Sequence, residues 1–185
     1  MPVKLGRAEG ADFSTVQQVF TDGGLLSANP SRVGGTWAFC YVDREDRLVG
    51  GASGVVLLGE TGLSEVSNNT TELLAMLLAL EQLPDGWEGD AFSDNETTRI
   101  RCTYAATCKM NGVPGPWVPR FRNVVDRLGG VVFHLLGGHP TKADLIAGKR
   151  AKDGMPVSKW NVWCDLQCES QAKRFRLDAA NHGGI

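Results

Sequence analysis

The apolar positions divide the chain into short strands and longer helices. Residues 16–20 form an apolar run that stops at Thr21-Asp22-Gly23-Gly24, which reads as a strand entering a turn. Residues 35–42 alternate in part and carry Trp37, Phe39 and Tyr41, as a second strand would. The charged residues 43–46 suit a hairpin turn, and residues 48–58, rich in Gly and Val, suit a third strand, twisted or bulged at its glycines. Three antiparallel strands are therefore expected first. Ser67-Asn68-Asn69 offers capping side chains for a helix whose residues 72–80 are apolar on nearly every face, so this helix is expected to be deeply buried. Pro84-Asp85-Gly86 ends it. A short strand at 91–93 leads to Asp94-Asn95, followed by a helix at 96–107, a Pro/Gly loop at 111–119 and an amphipathic helix at 118–128. A strand at 131–136, a long basic connection with a short helix near 143–147, and a final helix at 161–177 complete an α/β domain with a mixed sheet. There is no internal repeat and no linker that would separate two domains.

Composition adds little until it is divided along the chain. Of 185 residues, 42% are hydrophobic and 22% charged, and the net charge is −2. These values exclude a disordered chain, a collagen-like repeat and a uniformly basic nucleic-acid coat. Residues 1–98, however, hold 5 Lys and Arg against 15 Asp and Glu, whereas residues 99–176 hold 14 against 5. A split of −10 and +9 points to a polyanionic partner met by the later part. No apolar stretch is long enough for a membrane span, and residues 1–18 lack a secretory apolar core, so no membrane contact is expected. Five cysteines at irregular spacing suit a reducing, cytoplasmic setting; Cys164 and Cys168 are read as buried free thiols, with a zinc pair as the alternative.

Four acids stand out because they sit at element ends in apolar surroundings. Asp22 closes the first strand, Glu72 begins the apolar helix, Asp94 closes the fourth strand, and Asp165 lies in Trp163-Cys164-Asp165-Leu166 at the start of the last helix. A carboxylate in such a place loses hydration and must be paired, protonated or bound to a metal. If the first and fourth strands are neighbours, Asp22 and Asp94 project at one sheet edge. A carboxylate cluster relieves its own repulsion by binding hard divalent cations, of which Mg2+ keeps waters and phosphate oxygens as further ligands. Taken singly, each acid also reads as a cap or turn residue.

Five short strings in order resemble ribonuclease H type 1 over residues 19–173. They are Phe20-Thr21-Asp22-Gly23-Gly24 with Ala28-Asn29-Pro30 beyond; Ser67-Asn68-Asn69-Thr70-Thr71-Glu72-Leu73; Phe92-Ser93-Asp94-Asn95; Gly138-His139; and Asn161-Val162-Trp163-Cys164-Asp165. The resemblance implies a ribonuclease H-like fold, with a five-stranded mixed sheet of three antiparallel strands then two parallel ones, flanked by helices. The match sets the domain at 16–177, between an N-terminal extension at 1–15 and a tail at 178–185, with a basic loop at 137–160 that is enlarged relative to the family. It further implies that Asp22, Glu72, Asp94 and Asp165 hold two Mg2+ or Mn2+ ions for endonucleolytic hydrolysis of the RNA strand of an RNA–DNA hybrid, leaving 3′-OH and 5′-phosphate ends. His139 would assist proton transfer or product release from its loop.

For substrate, Gly23 and Gly24 are expected to allow close backbone approach, and Asn29, Ser67, Asn68 and Asn69 to read the 2′-hydroxyl. Trp117 is either an aromatic contact to the DNA strand or a buried anchor. Lys109, Arg120, Arg122, Lys142, Lys149, Arg150, Lys152 and Lys159 are expected on phosphates. His134 and His182 are read as structural and solvated. The chain departs from the family in its long 139–161 connection, in Gly137 where a lysine is common, in Glu96 near a frequent glutamine and in Thr70 before the acidic residue. These departures leave open a nuclease of the same fold acting on branched DNA or double-stranded RNA, or a non-catalytic hybrid-binding module. A monomer is expected, with protein partners unknown.

Overall fold

Ladder pairing along the first three strands gives the meander that the apolar alternation predicts: β1 (Gln18–Leu25), β2 (Gly34–Val42) and β3 (Leu48–Leu57) are antiparallel neighbours. The computed structural model describes residues 12–138, 140–148 and 156–181. The chain continues through α1 (Leu58–Thr61), α2 (Asn68–Gln82), β4 (Glu88–Ser93), α3 (Glu96–Thr103), α4 (Trp117–Leu128), β5 (Gly130–Leu135), α5 (Lys142–Ile146) and α6 (Lys159–Asn181). The sheet order is β3-β2-β1-β4-β5, with β1–β4 and β4–β5 parallel. Parallel neighbours need a long crossover, which the helices supply. No helix among the described residues is long and apolar enough to cross a membrane.

Helices cover both faces of the sheet, and strand alternation assigns side chains to each. Val19 joins the core built with α2 and α4, whereas its neighbour Phe20 packs with Cys164 and Cys168 of α6. Helix α2 is buried continuously from Thr70 through Leu80, as its all-round apolar sequence requires. The buried Tyr41 hydroxyl donates to the Ala79 carbonyl at 2.7 Å, and the Trp87 indole N–H to the Val16 carbonyl at 2.9 Å, so neither polar tip is stranded in the core. Arg127 of α4 donates to the carbonyls of Leu80, Glu81 and Leu83, closing the C-terminal end of α2.

Several elements differ from the sequence expectation. Strand β1 does not turn at Asp22-Gly23-Gly24; it runs on to Leu25, because β2 offers it partners to the end, with Asp22 opposite Ala38 and Leu25 opposite Gly35. The irregularity between β2 and β3 lies where Tyr41 pairs with Gly50 and Val42 with Leu48, so the extra residue is Val49, beside a glycine. The one-turn α1 was not expected; the Glu60 carboxylate accepts from the Leu57 N–H at 2.7 Å and starts it. Helix α3 stops at Thr103, and α6 starts earlier and runs through Asn181, into the residues expected as tail.

Gly23 makes a contact that no other residue type permits. A Cβ built there lies 2.3 Å from the Glu72 nitrogen and 2.5 Å from the Thr71 carbonyl carbon, so the β1 backbone rests directly on the first turns of α2. Gly23→Ala must push backbone apart. It is expected to cost about 3 kcal/mol and to lower Tm by roughly 6–12 °C. Gly59→Ala, where an added methyl meets nothing, should stay within about 1 kcal/mol of the parent. Thermal unfolding of the two variants checks both expectations; equal Tm values would show that the β1–α2 contact is not tight.

Candidate functional site

The site forms where β1 and β4 part. Their parallel register runs from Gln18 opposite Asp90 to Phe20 opposite Phe92, and Asp22 and Asp94 each lie two residues beyond that last pair. Asp22 is thus mid-strand towards β2 and at a strand end towards β4. Glu72, in the second turn of α2, reaches the same gap because Gly23 lets α2 rest on β1. One carboxylate oxygen from each of Asp22, Glu72 and Asp94 lies within 4.8 Å of the other two. Asp165 lines the same cleft, of about 720 Å3, from α6. The sequence expectation of four convergent acids therefore becomes a tight trio with a fourth acid on the cleft wall.

Burial and mutual repulsion raise the proton affinity of Asp22 and Glu72. Burial, then the charges of Asp94 and Asp165, push Asp22 up to about 7. Glu72 is raised well above the usual carboxylate range by burial, then by Asp22 and Asp94, and hydrogen bonding with Asp22 keeps a proton on it. The orientation of the trio is supported from outside. Ser93 Oγ donates to Glu72 Oε2 at 3.4 Å, and Asn161 Nδ2 donates to Asp94 Oδ2 at 3.2 Å. A Cβ on Gly138 would sit 3.0 Å from Asp94 Oδ2, so that loop packs against the acid. All donors at the centre are carboxylate oxygens, the set that hard divalent cations take and that softer metals do not need. The trio therefore suits a divalent cation, which would replace the protons that burial otherwise imposes.

The other expected site residues fare differently. Gly24 and Asn68 line the cleft. Gly23 also lines it, and its backbone is in addition packed tightly against α2. Ser67 is the residue before α2, and its hydroxyl pairs with Thr70 Oγ1 at 3.0 Å. Asn69 Oδ1 accepts from Asn95 Nδ2 at 2.8 Å, which ties the start of α2 to that of α3. Asn29 is exposed in the β1–β2 connection and does not line the cleft. Trp117 is 4% exposed within the core, so it is the anchor and presents no face to a strand. His139, Lys149, Arg150 and Lys152 lie outside the described residues. Among the cations expected on phosphates, Arg120 makes a two-pronged bond to Glu81 at 2.9 and 2.7 Å, Arg122 donates to the Ala105 carbonyl, and Lys159 pairs with Asp46. These three serve the fold. Lys109 and Lys142 remain exposed.

Residues missed as site candidates are Asn161, Asn95, Glu169, Lys173 and Arg176. Asn161 stands in the string that carried the resemblance, four before Asp165, the helical spacing that puts both on one face. Asn95 caps α3, accepting from the Thr98 N–H at 2.9 Å, and lines the cleft. Glu169 and Arg176 follow Asp165 at four and eleven residues, again one helix face. Cys40, Cys102, Cys164 and Cys168 are buried free thiols, with burial raising the thiols of Cys102, Cys164 and Cys168. His134 bonds Asp90 at 2.6 Å and stacks on Phe92, consistent with a structural role.

No family model matches the sequence, and no curated protein matches it. Solved structures do match its fold. The N-terminal RNase H domain of a Mycobacterium tuberculosis protein, solved as a fusion with maltose-binding protein, aligns at TM-score 0.59 and 10% identity over 88% of this chain and 99% of that one. The RNase H1 of the halophilic archaeon Halobacterium salinarum NRC-1 aligns at TM-score 0.57 and 14% identity over 85% and 97%. LC11-RNase H1 in complex with an RNA/DNA hybrid aligns at TM-score 0.56 and 16% identity, also over 85% and 97%. With its mixed sheet, flanking helices and acids at the β1–β4 edge, this chain has the ribonuclease H-like fold.

Proposed function

We propose that the protein is a metal-dependent endonuclease that hydrolyses the RNA strand of RNA–DNA hybrids, leaving 3′-OH and 5′-phosphate ends. The observation that carries this reading is the trio of buried Asp22 and Glu72 and half-buried Asp94 where β1 and β4 part, with Asp165 on the cleft wall. These four acids would hold two Mg2+ or Mn2+ ions, which when bound supply an activated water and neutralise charge on the leaving 3′ oxygen. Asp22 and Glu72 would bind such ions as carboxylates, exchanging the protons that burial favours for the cations' charge. Asn161 and Ser93 hold Asp94 and Glu72 in place. His139 is assigned to proton transfer or product release on the resemblance alone. A hybrid is favoured as substrate by the amides of Asn68 and Asn95 and the small Gly24 along the cleft, a surface suited to the 2′-hydroxyl in a shallow groove. The bound hybrid of one structural neighbour supports the same choice.

Cleavage of labelled hybrid, RNA duplex, single strands and a four-way junction, each with Mg2+ and with Mn2+, tests the substrate. Preferential cutting of the hybrid is expected, and preference for a junction or duplex RNA would move the protein to another nuclease class. Asp22→Asn is expected to lower hybrid cleavage by more than ~100-fold with the fold retained; a variant that cleaves normally would remove Asp22 from the chemistry.

Proton linkage gives a second test. Folded Asp22 keeps its proton up to about pH 7, against a model-compound value of 3.8. Between those values the folded state binds more protons than the unfolded one, so stability falls as pH rises, by ~1.4 kcal/mol per pH unit for each such proton. The metal-free protein is expected to lose Tm between pH 5 and pH 7 more steeply than Asp22→Asn does. Mn2+ should raise the wild-type Tm more at the higher pH. Parallel Tm profiles for the two proteins would contradict the raised proton affinity of Asp22.

A further inference from the structure

We propose that Lys173 and Arg176 of α6 form a phosphate-binding rim that grips the backbone of the nucleic-acid strand lying in the acidic cleft, on the side of the acids towards the C-terminal end of the helix. This deepens the nuclease reading and rests on it. Asp22, Glu72, Asp94, Asp165 and Glu169 line the cleft, so its walls repel a polyanion except where cations stand. Lys173 and Arg176 are the two cations among its described lining residues.

Helix geometry places Arg176 in line with Asp165, with Lys173 about a quarter turn away. At 3.6 residues per turn, Arg176 lies about three whole turns after Asp165 and so points to the same side. A rise of ~1.5 Å per residue puts Lys173 about 12 Å and Arg176 about 16 Å along the axis from Asp165. That is beyond a Debye length of ~8–10 Å, so Arg176 does little to neutralise the acid cluster. It is instead a distance of a few nucleotides along a strand whose cleaved phosphate sits at the acids.

Partnering separates these two cations from several others, and their place in the cleft separates them from Lys109, Lys142 and Arg174, which are exposed but do not line it. Arg120, Arg127 and Lys159 are joined to Glu81, Asp85 and Asp46. Arg122 is bonded to a backbone carbonyl, and Arg101 is buried with a bond to the Asn111 carbonyl. Lys173 and Arg176 are exposed and form no ion pair within 4.0 Å among the described residues, although Glu169 stands four residues before Lys173 at a spacing where such pairs often form. Their charge is available to a ligand, and it faces the cleft.

The test compares wild type, Lys173→Ala, Arg176→Ala, the double variant and the control Arg174→Ala, which removes an exposed α6 cation outside the cleft. Fluorescence anisotropy with labelled hybrid, single-stranded RNA and duplex DNA is measured over a salt series, alongside hybrid-cleavage kinetics and the Mn2+-induced Tm shift. Each lost phosphate contact should reduce the salt slope of log K by about 0.7–0.9. The double variant should therefore show a slope lower by roughly 1.4–1.8 and a KM raised about tenfold. Its kcat should stay within about twofold, and its Mn2+ shift should be unchanged. Arg174→Ala should match wild type. A double variant with wild-type slope and KM overturns the rim while leaving the nuclease reading intact. Binding that depends on Lys173 and Arg176 without hybrid cleavage supports the rim and overturns the nuclease reading. Wild-type protein that binds none of the probes overturns both.

Discussion

Like-charge repulsion among Asp22, Glu72 and Asp94 is the constraint on which this architecture turns. Three carboxyl groups with oxygens within 4.8 Å cannot all ionise in a half-dry notch without a counter-charge. Left alone they would swing apart or drain the stability of the elements that carry them. They are held by a rigid frame: β1 sits inside the sheet between β2 and β4, and α2 is buried along eleven consecutive residues, from Thr70 to Leu80. The hydrogen bond from Tyr41 to Ala79 and the Arg127 contacts at the far end of α2 keep that helix in register with the sheet. The apolar core thus supports an electrostatically unfavourable centre, and protons or divalent cations complete it.

The opposed charges of the two halves of the chain have a structural use as well as a functional one. Arg120 to Glu81, Arg127 to Asp85 and Lys159 to Asp46 each join a later basic residue to an earlier acid. The later elements are clipped to the earlier ones by these pairs, of which the more exposed contribute little individually. Of the remaining α6 cations, Lys173 and Arg176 line the cleft, whereas Arg174 lies outside it. A charge split that suggests a phosphate-binding half is therefore divided between internal clasps and a smaller set of ligand-facing groups.

The α6 face shows how packing and site share residues. Phe20, Phe92 and His134 stack across β1, β4 and β5, with ring centroids 4.6 and 4.8 Å apart. Cys164 and Cys168 fill the space between α6 and the sheet, and Cys168 Sγ lies 3.5 Å from the Asp22 carbonyl oxygen. Small sulfur-bearing side chains let α6 lie close to β1, which brings Asp165 to the cleft wall. The buried thiols are thus spacers that set the distance between the helix and the acids.

The local code was strong where one element carried the whole signal. Apolar runs bounded by Gly, Pro and capping residues gave five strands, the buried α2 and the long α6, and acids in apolar surroundings marked Asp22, Glu72, Asp94 and Asp165, because misplaced charge is visible in a linear string. Tertiary structure decided the rest. Only the alignment of β1 with β2 shows that the strand continues through Asp22, since a neighbouring strand's hydrogen bonds override a Gly-Gly turn signal. Only the packing of α2 on β1 shows that Gly23 makes room for a helix as well as lining the cleft. Likewise, which arginines are clasped, that Trp117 is buried, and that Lys173 and Arg176 share a cleft with the acids all depend on which elements become neighbours, and a one-dimensional charge pattern cannot hold that information.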